Sequence, residues 1–325
     1  MTVRKSLQQI LLLALIFELL CVVAFSQNLR KIPSLIVVAA DGTGDFKTVQ
    51  EAVDRIPENN QQRILIRIKP GVYNEQIRVS SGKRYLTLRG EDPRNTVLTY
   101  RLSAQQAGNT RLAFSTFVNA DDFRAENLTF ENSFGTGSQA VALLVDADRA
   151  MFLNCRFLGW QDTLFVNGGR QFFKDCYIEG HVDFIFGSAS AVFENCTVHS
   201  KADGYITAHF RTSDAENTGF VFLRCRFTGS GVNKGVYLGR PWRPFARVVF
   251  IDCWFDSHIK PEGWDNWRDP GREKTAWFGE YRSKGPGASP QARVAWSRQM
   301  TAGEAETFSL ARFFSRADRW QPDVR

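Results

Sequence analysis

Short apolar segments recur along the middle of the chain and are separated by polar residues and turns. Five of them share one pattern, in which an aromatic residue is followed three positions later by cysteine and two positions after that by Phe, Ile or Val. The cysteines of these segments are Cys155, Cys176, Cys196, Cys225 and Cys253, at steps of 21, 20, 29 and 28 residues. Strand-length segments at such intervals, without helices between them, predict an all-β fold of parallel strands stacked coil on coil, a parallel β-helix.

The segments on either side of these repeats differ in character. Residues 35–100 alternate short apolar strands with turns, and the apolar spacing within residues 47–56 predicts a short helix that caps the open end of the stack. The tail after residue 256 is rich in Trp, Pro and Gly and loop-like, and we expect a short helix at 301–314 that packs along the outside. No linker separates these parts, so the sequence predicts a single domain over residues 27–325.

The first 26 residues have the pattern of a secretory signal peptide. Basic residues precede the apolar run 10–25, and Ala24 and Ser26 fit the small-x-small rule for cleavage before Gln27. A membrane anchor is the alternative, but Glu18 interrupts a run that is already short for a span. We therefore expect a secreted protein, extracellular or in a cell wall, or periplasmic if the source is bacterial.

Net charge and cysteine content limit the possible binding partners and the possible disulfides. The chain carries a formal charge of +7, and its 43% hydrophobic content supports a sizeable core. A basic secreted protein suggests a polyanionic partner. Nucleic acid is not favoured, because the basic residues are scattered among acids and no helical basic stripe, zinc pattern or RNA-binding aromatic motif is present. Loss of Cys21 leaves five cysteines, which we interpret as small buried core residues, with a bridge between Cys196 and Cys225 left open.

Two aspartates occupy the same position in successive repeats. Asp162 lies seven residues after Cys155, and Asp183 lies seven residues after Cys176. Parallel stacking places such carboxyl groups about 4.8 Å apart along the stack. Two carboxylates this close do not ionise together easily, so we expect one pKa to rise and the other to fall, which provides an acid and a nucleophile at one pH. Asp203 obeys the same count in the next repeat but lacks the aromatic setting, and we assign it to a turn.

Polar and aromatic residues near the acids add candidate functions. Gln161 adjoins Asp162, and Gln139 lies one coil earlier. Their neutral amide donors suit the oxyanion of acyl transfer better than glycosidic cleavage, although a stacked amide column is an alternative for Gln139. Arg240 could hold a carboxylate ionised, or make an ordinary salt bridge. Three tryptophans could form a platform for sugar rings or simply pack: Trp242, Trp264 and Trp267.

From about Leu35 to Trp320 the chain resembles the pectin methylesterases, also called pectinesterases. The matching motifs occur in the order that this family shows: DGTGDFKTVQEAV, GVYNEQ, QAVAL, GWQDTLF, DFIFG, LGRPW and FGEYRSKGPGA. The resemblance implies that the β-helix is right-handed. It also implies that the reaction is hydrolysis of the methyl esters of homogalacturonan (pectin) to pectate and methanol.

Carried over position by position, the resemblance also implies roles for single residues. Asp183 looks like the nucleophile, Asp162 like the general acid and then base, and Gln161 like the main oxyanion donor. The residues that resemble substrate-binding positions are Gln139, which also assists the oxyanion, Arg240, Trp242 and, by a looser local alignment, Thr110. The implied acyl-enzyme mechanism requires no metal or other cofactor, and Asp183→Ala is expected to abolish methanol release without unfolding the protein.

Some positions depart from the commoner pattern of that family. Trp160 and Phe165 stand where tyrosines are usual, so polar contacts to sugar are in doubt at those two places. His209 replaces a usual glutamine. His181 precedes Asp183 by two residues, and we hypothesise that its charge below about pH 6.5 favours ionisation of Asp183. The four histidines show no metal-ligand spacing, so the sequence predicts no zinc site.

Other functions stay open at this stage. A polygalacturonase also uses paired carboxylates but gives Gln161 and Gln139 no evident role, and a pectate lyase would need a calcium cluster of acids. A non-catalytic carbohydrate-binding β-helix would be expected to lack one of the acids. An esterase for acyl thioesters at a bacterial outer membrane would need a better lipoprotein signal than Leu20 and Cys21 provide. We expect a monomer that binds methyl-esterified homogalacturonan and has no membrane span after processing.

Overall fold

The backbone winds in successive coils, and the strands of each coil pair in parallel with those of the coils before and after it. A computed structural model describes residues 33–231, 233 and 235–323, so the predicted signal segment lies outside the described residues. The described chain is a right-handed parallel β-helix, which confirms the predicted fold class. The boundary between residues 26 and 27 stays a prediction.

The strands are short except for two that run through a corner of the coil. The first twelve are β1 (Leu35–Val38), β2 (Ile64–Ile68), β3 (Gly71–Asn74), β4 (Ile77–Val79), β5 (Leu86–Gly90), β6 (Thr96–Tyr100), β7 (Phe114–Val118), β8 (Arg124–Glu126), β9 (Thr129–Asn132), β10 (Val141–Asp146), β11 (Ala150–Leu153) and β12 (Arg156–Leu158). The others are β13 (Leu164–Gly168), β14 (Arg170–Lys174), β15 (Tyr177–Gly187), β16 (Ser190–Glu194), β17 (Thr197–His209), β18 (Gly219–Leu223), β19 (Arg226–Gly229), β20 (Val236–Pro241), β21 (Arg247–Ile251), β22 (Trp254–Phe255), β23 (Trp277–Tyr281) and β24 (Arg298–Gln299).

Helices are few and short. The α-helices are α1 (Val49–Asp54), α2 (Ala104–Ala107), α3 (Ala302–Glu306) and α4 (Leu310–Phe313), and the 3-10 turns are Thr110–Leu112, Pro270–Lys274 and Pro290–Ala292. None of the helices in the described part of the chain has the length and apolar character needed to cross a bilayer.

The coils present three faces. One face is an 11-stranded parallel sheet that runs from β1 to β24. The other two faces belong to one 13-stranded sheet, because β15 and β17 bend from one face onto the next. Within β15, Tyr177 and Ile178 pair with β12, whereas Ile185 and Phe186 pair with β13. Asp183 lies at this bend.

Phenylalanines from five consecutive coils form a column in the core. Phe152, Phe173, Phe193, Phe222 and Phe250 are partners in the strand register, so the steps between cysteines are also the steps between strands. Neighbouring rings stack with their centroids 4.6 to 4.8 Å apart. This is the ordinary spacing of paired strands, so identical side chains in register stack without backbone adjustment.

A single residue in the left-handed backbone conformation turns the corner before each cysteine. Five such residues, with φ between 49° and 55°, are Asn154, Asp175, Asn195, Arg224 and Asp252. Asn and Asp tolerate this conformation better than most side chains, which explains their frequency before the cysteines. The five cysteines that follow are buried and free, so the bridge left open between Cys196 and Cys225 is absent.

Both ends of the described chain cover the stack. Helix α1 starts with a capping box at Thr48 and packs against β1, β2 and β4, as the apolar spacing predicts. The single helix predicted in the tail is two helices, α3 and α4, and Phe308 and Phe313 pack on outward-facing residues of the 11-stranded sheet. The tail also contributes β23, which pairs with β21 and was not predicted.

We expect Phe193→Ala to lower the free energy of unfolding by about 3–5 kcal/mol. The ring is fully buried and stacks on Phe173 at 4.8 Å and on Phe222 at 4.6 Å, so truncation leaves a cavity inside a rigid column. Urea denaturation measures the loss. Val72→Ala is the control, because that side chain is 66% exposed; a loss at Phe193 no larger than at Val72 would refute the role of the column.

Candidate active site

Asp162 and Asp183 lie at the same corner of successive coils. Strand β13 pairs with β15 through Leu164 with Ile185, and the same step of 21 residues relates the two aspartates. The backbone N–H of Asp162 donates to the carbonyl of Val182 at 3.1 Å. Both aspartates have positive φ, 63° and 50°, a conformation that aims their side chains away from the regular strand alternation.

Asp183 is bound by an arginine that lies two coils later in the stack. Nε of Arg240, on β20, donates to Oδ1 of Asp183 at 2.9 Å, and Nη2 donates to Oδ2 at 2.6 Å. Such a bidentate pair fixes the carboxylate in orientation as well as in charge. The guanidinium itself lies over the rings of Tyr205 and Trp267, 3.8 Å from each centroid.

The two carboxyl groups have different surroundings. Burial, with the nearby Asp183 as a second cause, raises the pKa of Asp162 well above its usual value, and no described residue donates a hydrogen bond to its side chain. Burial also raises the pKa of Asp183, but there the hydrogen bonds and charge of Arg240 oppose the rise. The prediction that one pKa falls is therefore wrong, since burial outweighs Arg240. The predicted order holds, with Asp183 ionising before Asp162.

Two glutamine side chains face the acids from neighbouring coils. The N–H of Ala140 donates to the carbonyl of Gln161 at 3.1 Å, which places Gln139 and Gln161 side by side in the stack. Both side chains are half-buried and line the same cavity as the aspartates. Neither amide bonds to another side chain or backbone group among the described residues, so the stacked amide column is absent and the N–H donors are free for a ligand.

These groups open into one cavity of about 560 Å³. Its floor is apolar, because the rings of Phe165 and Phe186 stack at 4.3 Å and Trp242 lies 6.0 Å from Phe186. The cavity brings together all seven residues that the sequence singled out: Thr110, Gln139, Gln161, Asp162, Asp183, Arg240 and Trp242. Six further residues line it, of which the sequence had pointed to Phe165 and Trp267 and had not indicated Asn109, Arg111, Phe186 and Ala208.

Comparison with known proteins identifies the family. The profile of the pectinesterase family matches residues 35–318. The chain belongs to the pectinesterase family. Pectinesterase 31 of Arabidopsis thaliana is 46% identical over 285 residues, which cover 84% of this chain and 90% of that protein.

Solved structures agree with this family. The pectin methylesterase from carrot matches with a TM-score of 0.83 at 35% identity, covering 86% of this chain and 92% of that one. A pectin methylesterase in complex with a hexasaccharide matches with a TM-score of 0.77 at 29% identity, covering 89% and 98%. The chain is thus a pectinesterase, an enzyme of the carboxylic ester hydrolase class.

One tryptophan of the pectinesterase, Trp264, follows the packing alternative that the sequence left open. Trp264 is 1% exposed and stacks on Phe278 of β23 at 4.2 Å, so it is a core residue and cannot form a sugar platform. Trp242 and Trp267 do line the cavity. The sequence could not separate the three, because β23 was not predicted and with it the partner that buries Trp264.

The assignment of Asp203 to a turn is also wrong. Asp203 lies within β17, exposed, and accepts hydrogen bonds from the N–H groups of Asn233 and Gly235 at 3.0 and 3.1 Å. The register between β15 and β17 shifts after Gly180, so that Val182 pairs with Tyr205. Counting from the cysteine therefore fails in this coil. The shift places Tyr205 beside the corner that holds Asp183, which no sequence signal indicated.

The histidines of the enzyme lie outside the cavity lining. His181 packs edge-on against Trp160 with centroids 5.5 Å apart, and burial lowers its pKa, so the hypothesised charge would appear below the ordinary value of about 6.5. His209 is fully buried, its Nδ1 accepts from the N–H of Arg247, and burial lowers its pKa to about 3. In the described part of the chain no group of three His, Cys, Asp or Glu side chains could hold a metal ion.

We expect Asp162→Asn to stabilise the fold at high pH. A carboxyl group whose pKa is raised by folding contributes stability below its unfolded pKa, about 3.9, and loses it as pH rises through the folded pKa. The amide removes this loss, so the free energy of unfolding should rise by about 1–2 kcal/mol at pH 8 and change little at pH 4. Thermal unfolding at both pH values measures the difference. Asp175→Asn, at an exposed corner of the same conformation, is the control, and equal effects at the two pH values would contradict this expectation.

Proposed function

We propose that this pectinesterase hydrolyses the methyl esters of pectin with Asp183 as a covalent nucleophile. The observation that carries this assignment is the contrast within the buried pair. Asp183 is held as a carboxylate by two hydrogen bonds from Arg240, whereas the carboxyl of Asp162 receives no hydrogen bond from residues 33–231, 233 and 235–323 and has a strongly raised pKa. A nucleophile and a proton donor are therefore side by side at one pH.

In the first step, an oxygen of Asp183 attacks the ester carbonyl carbon, and the carbonyl electrons move to its oxygen. The side-chain amides of Gln161 and Gln139 donate to this oxyanion, as their unbonded N–H groups in the cavity permit. The bond to the methoxy oxygen then breaks while Asp162 gives its proton to that oxygen. Methanol leaves, and the galacturonate acyl group remains on Asp183 as an anhydride.

In the second step, water completes the turnover. Asp162, now a carboxylate, takes a proton from water as the oxygen attacks the acyl carbon. The tetrahedral intermediate collapses, the bond to Asp183 breaks, and the sugar leaves with a free carboxyl group. Asp162 is protonated again and Asp183 is again a carboxylate beside Arg240, so protons and electrons balance over the cycle.

We assign the remaining cavity residues to substrate binding. The stacked rings of Phe165 and Phe186 and the ring of Trp242 offer apolar surface to the methyl ester and to sugar faces. Thr110, at the start of a 3-10 turn, also lines the cavity and offers a hydroxyl. The similarity to a pectin methylesterase that binds a hexasaccharide supports a polymeric uronate as the substrate.

The proposal includes export of the enzyme. Pectinesterases are typically secreted to the cell wall or extracellular space, and the pattern of residues 1–26 supports cleavage before Gln27. The mature chain then acts as a monomer at its polymeric substrate. Mass spectrometry of secreted protein tests the cleavage, and light scattering tests the monomer.

Methanol and new reducing ends are the two products that distinguish ester hydrolysis from the alternative functions. With highly methylated pectin we expect methanol to be released without new reducing ends, and a chelator to leave the rate unchanged. New reducing ends without methanol would indicate glycosidic cleavage instead. Binding of pectin with neither product would indicate a carbohydrate-binding protein.

A further inference from the structure

The guanidinium of Arg240 is enclosed by two aromatic rings from separate parts of the chain. Tyr205 comes from β17, one coil before Arg240, and Trp267 comes from the segment between β22 and β23. Each ring centroid is 3.8 Å from the guanidinium carbon, and the Arg240 side chain is 19% exposed. At this distance and burial both contacts are close and partly desolvated cation–π interactions.

Both rings are themselves supported. Tyr205 stacks on Tyr237 of the next coil with centroids 5.3 Å apart and planes 8° from parallel, and the Lys260 ammonium lies 4.6 Å from the centre of the Tyr237 ring. On the other side, Trp267 has a positive φ of 58°, and its N–H donates to Oδ1 of Asp265 at 2.7 Å. The enclosure is thus built from both sides rather than made by one mobile side chain.

We propose that Tyr205 is a positioning residue, which together with Trp267 clamps Arg240 so that its two donors stay on Asp183. This inference rests on the proposed role of Asp183 as nucleophile. A guanidinium binds any carboxylate well, and the product of this reaction is a polymer of carboxylates. A free Arg240 would exchange Asp183 for a product carboxylate. The clamp prevents this exchange and keeps the nucleophile ionised.

The charges around Asp183 determine whether its ionisation moves to higher or lower pH when Arg240 is loosened. Asp162 faces it from the preceding coil, His181 lies on its own strand, and Asp265 acts on it from the tail. Arg268 lines a neighbouring cavity beside Arg240 and Asp265 that Asp183 does not line. Among the described residues, only Arg240 donates hydrogen bonds to the Asp183 side chain. Loosening Arg240 therefore leaves Asp183 among acids without a fixed cation, and the pH at which it ionises rises.

The test compares Tyr205→Leu, which fills the space without a ring face, with Tyr205→Phe, which keeps the face and loses the hydroxyl. We expect the acid limb of kcat/KM for methanol release to move up by about 0.5–1 pH unit in Tyr205→Leu and to stay in place in Tyr205→Phe. Rates on the alkaline side of that limb should change little. Inhibition by added polygalacturonate should strengthen several-fold in the Leu variant only.

Tyr177→Leu is the matched control, because Arg156 lies 4.6 Å over that ring and Tyr177 does not line the cavity. Its pH profile should match that of the wild type. Trp267→Leu removes the other ring and should move the limb in the same direction, which keeps the test valid if Tyr205→Leu does not fold.

A merely structural role of Tyr205 would lower kcat/KM by the same factor at every pH, and that result would overturn the proposal. Equal impairment of Tyr205→Phe and Tyr205→Leu would also overturn it. If the wild type releases methanol but the acid limb of kcat/KM is not shifted in Tyr205→Leu, the clamp is refuted and the proposed function is not. A wild type that releases no methanol refutes the proposed function and, with it, the clamp.

Discussion

Asp183→Asn is expected to lower kcat for methanol release by about 10⁴-fold or more. The amide has the shape of the carboxylate but cannot attack an ester, so no acyl-enzyme forms. Asn is a sharper test than Ala, because residue 183 has a φ of 50°, which Asn tolerates and Ala does not. Methanol production from highly methylated pectin measures the loss, and thermal unfolding checks that the variant is folded.

The matched control for this experiment is Asp175→Asn. Asp175 also turns a corner, with a φ of 55°, but lies exposed and outside the cavity. Its variant should retain wild-type activity, so that a loss at Asp183 cannot be ascribed to the corner conformation. Substantial activity in folded Asp183→Asn would reject Asp183 as the nucleophile and leave the attack to a water molecule.

Asp162→Asn should lower kcat by about 10²–10⁴-fold, the usual contribution of a general acid and base. The wild type needs Asp183 ionised and Asp162 protonated, so its rate should follow a bell-shaped pH dependence. Burial raises the pKa of both groups, which places both limbs above the ordinary range of aspartates. The alkaline limb reports the deprotonation of Asp162 and should disappear when an amide replaces that carboxyl.

The same substitution is expected to stabilise the fold at pH 8, which makes its two effects informative together. Loss of activity with a gain in stability is the signature of a charge buried for function rather than for folding. An alkaline limb that persists in Asp162→Asn would assign that limb to another group, and Asp162 would then not be the acid.

Much of the fold follows from the spacing of a few side chains. Phenylalanine and cysteine recur at matching steps because each coil must return to the same place in the column, so the sequence interval is the strand register. The same rule predicts that Asp162 lies next to Asp183, one coil apart in the stack. Local repetition is visible in sequence when every coil buries the same residue types at the same corner, even where the coil length differs.

Elements without a repeat are not predictable in this way. The sequence of the tail strand β23 does not recur elsewhere in the chain, so no repeat identifies it as a strand. The burial of Trp264 against Phe278 of that strand could therefore not be predicted either. The position of Tyr205 beside Arg240 could not be predicted for a related reason. The register between β15 and β17 shifts, so positions counted from Cys196 no longer match those of the preceding coil.

The stacked strands, the buried column and the pairing of the two acids follow from periodic positions along one chain. The protonation states of those acids depend on contacts that form only in the folded molecule. Burial raised both pKa values, and Arg240, from two coils away and held between Tyr205 and Trp267, made Asp183 the more acidic of the two. Desolvation and charge act through space, and groups distant in the chain supply both.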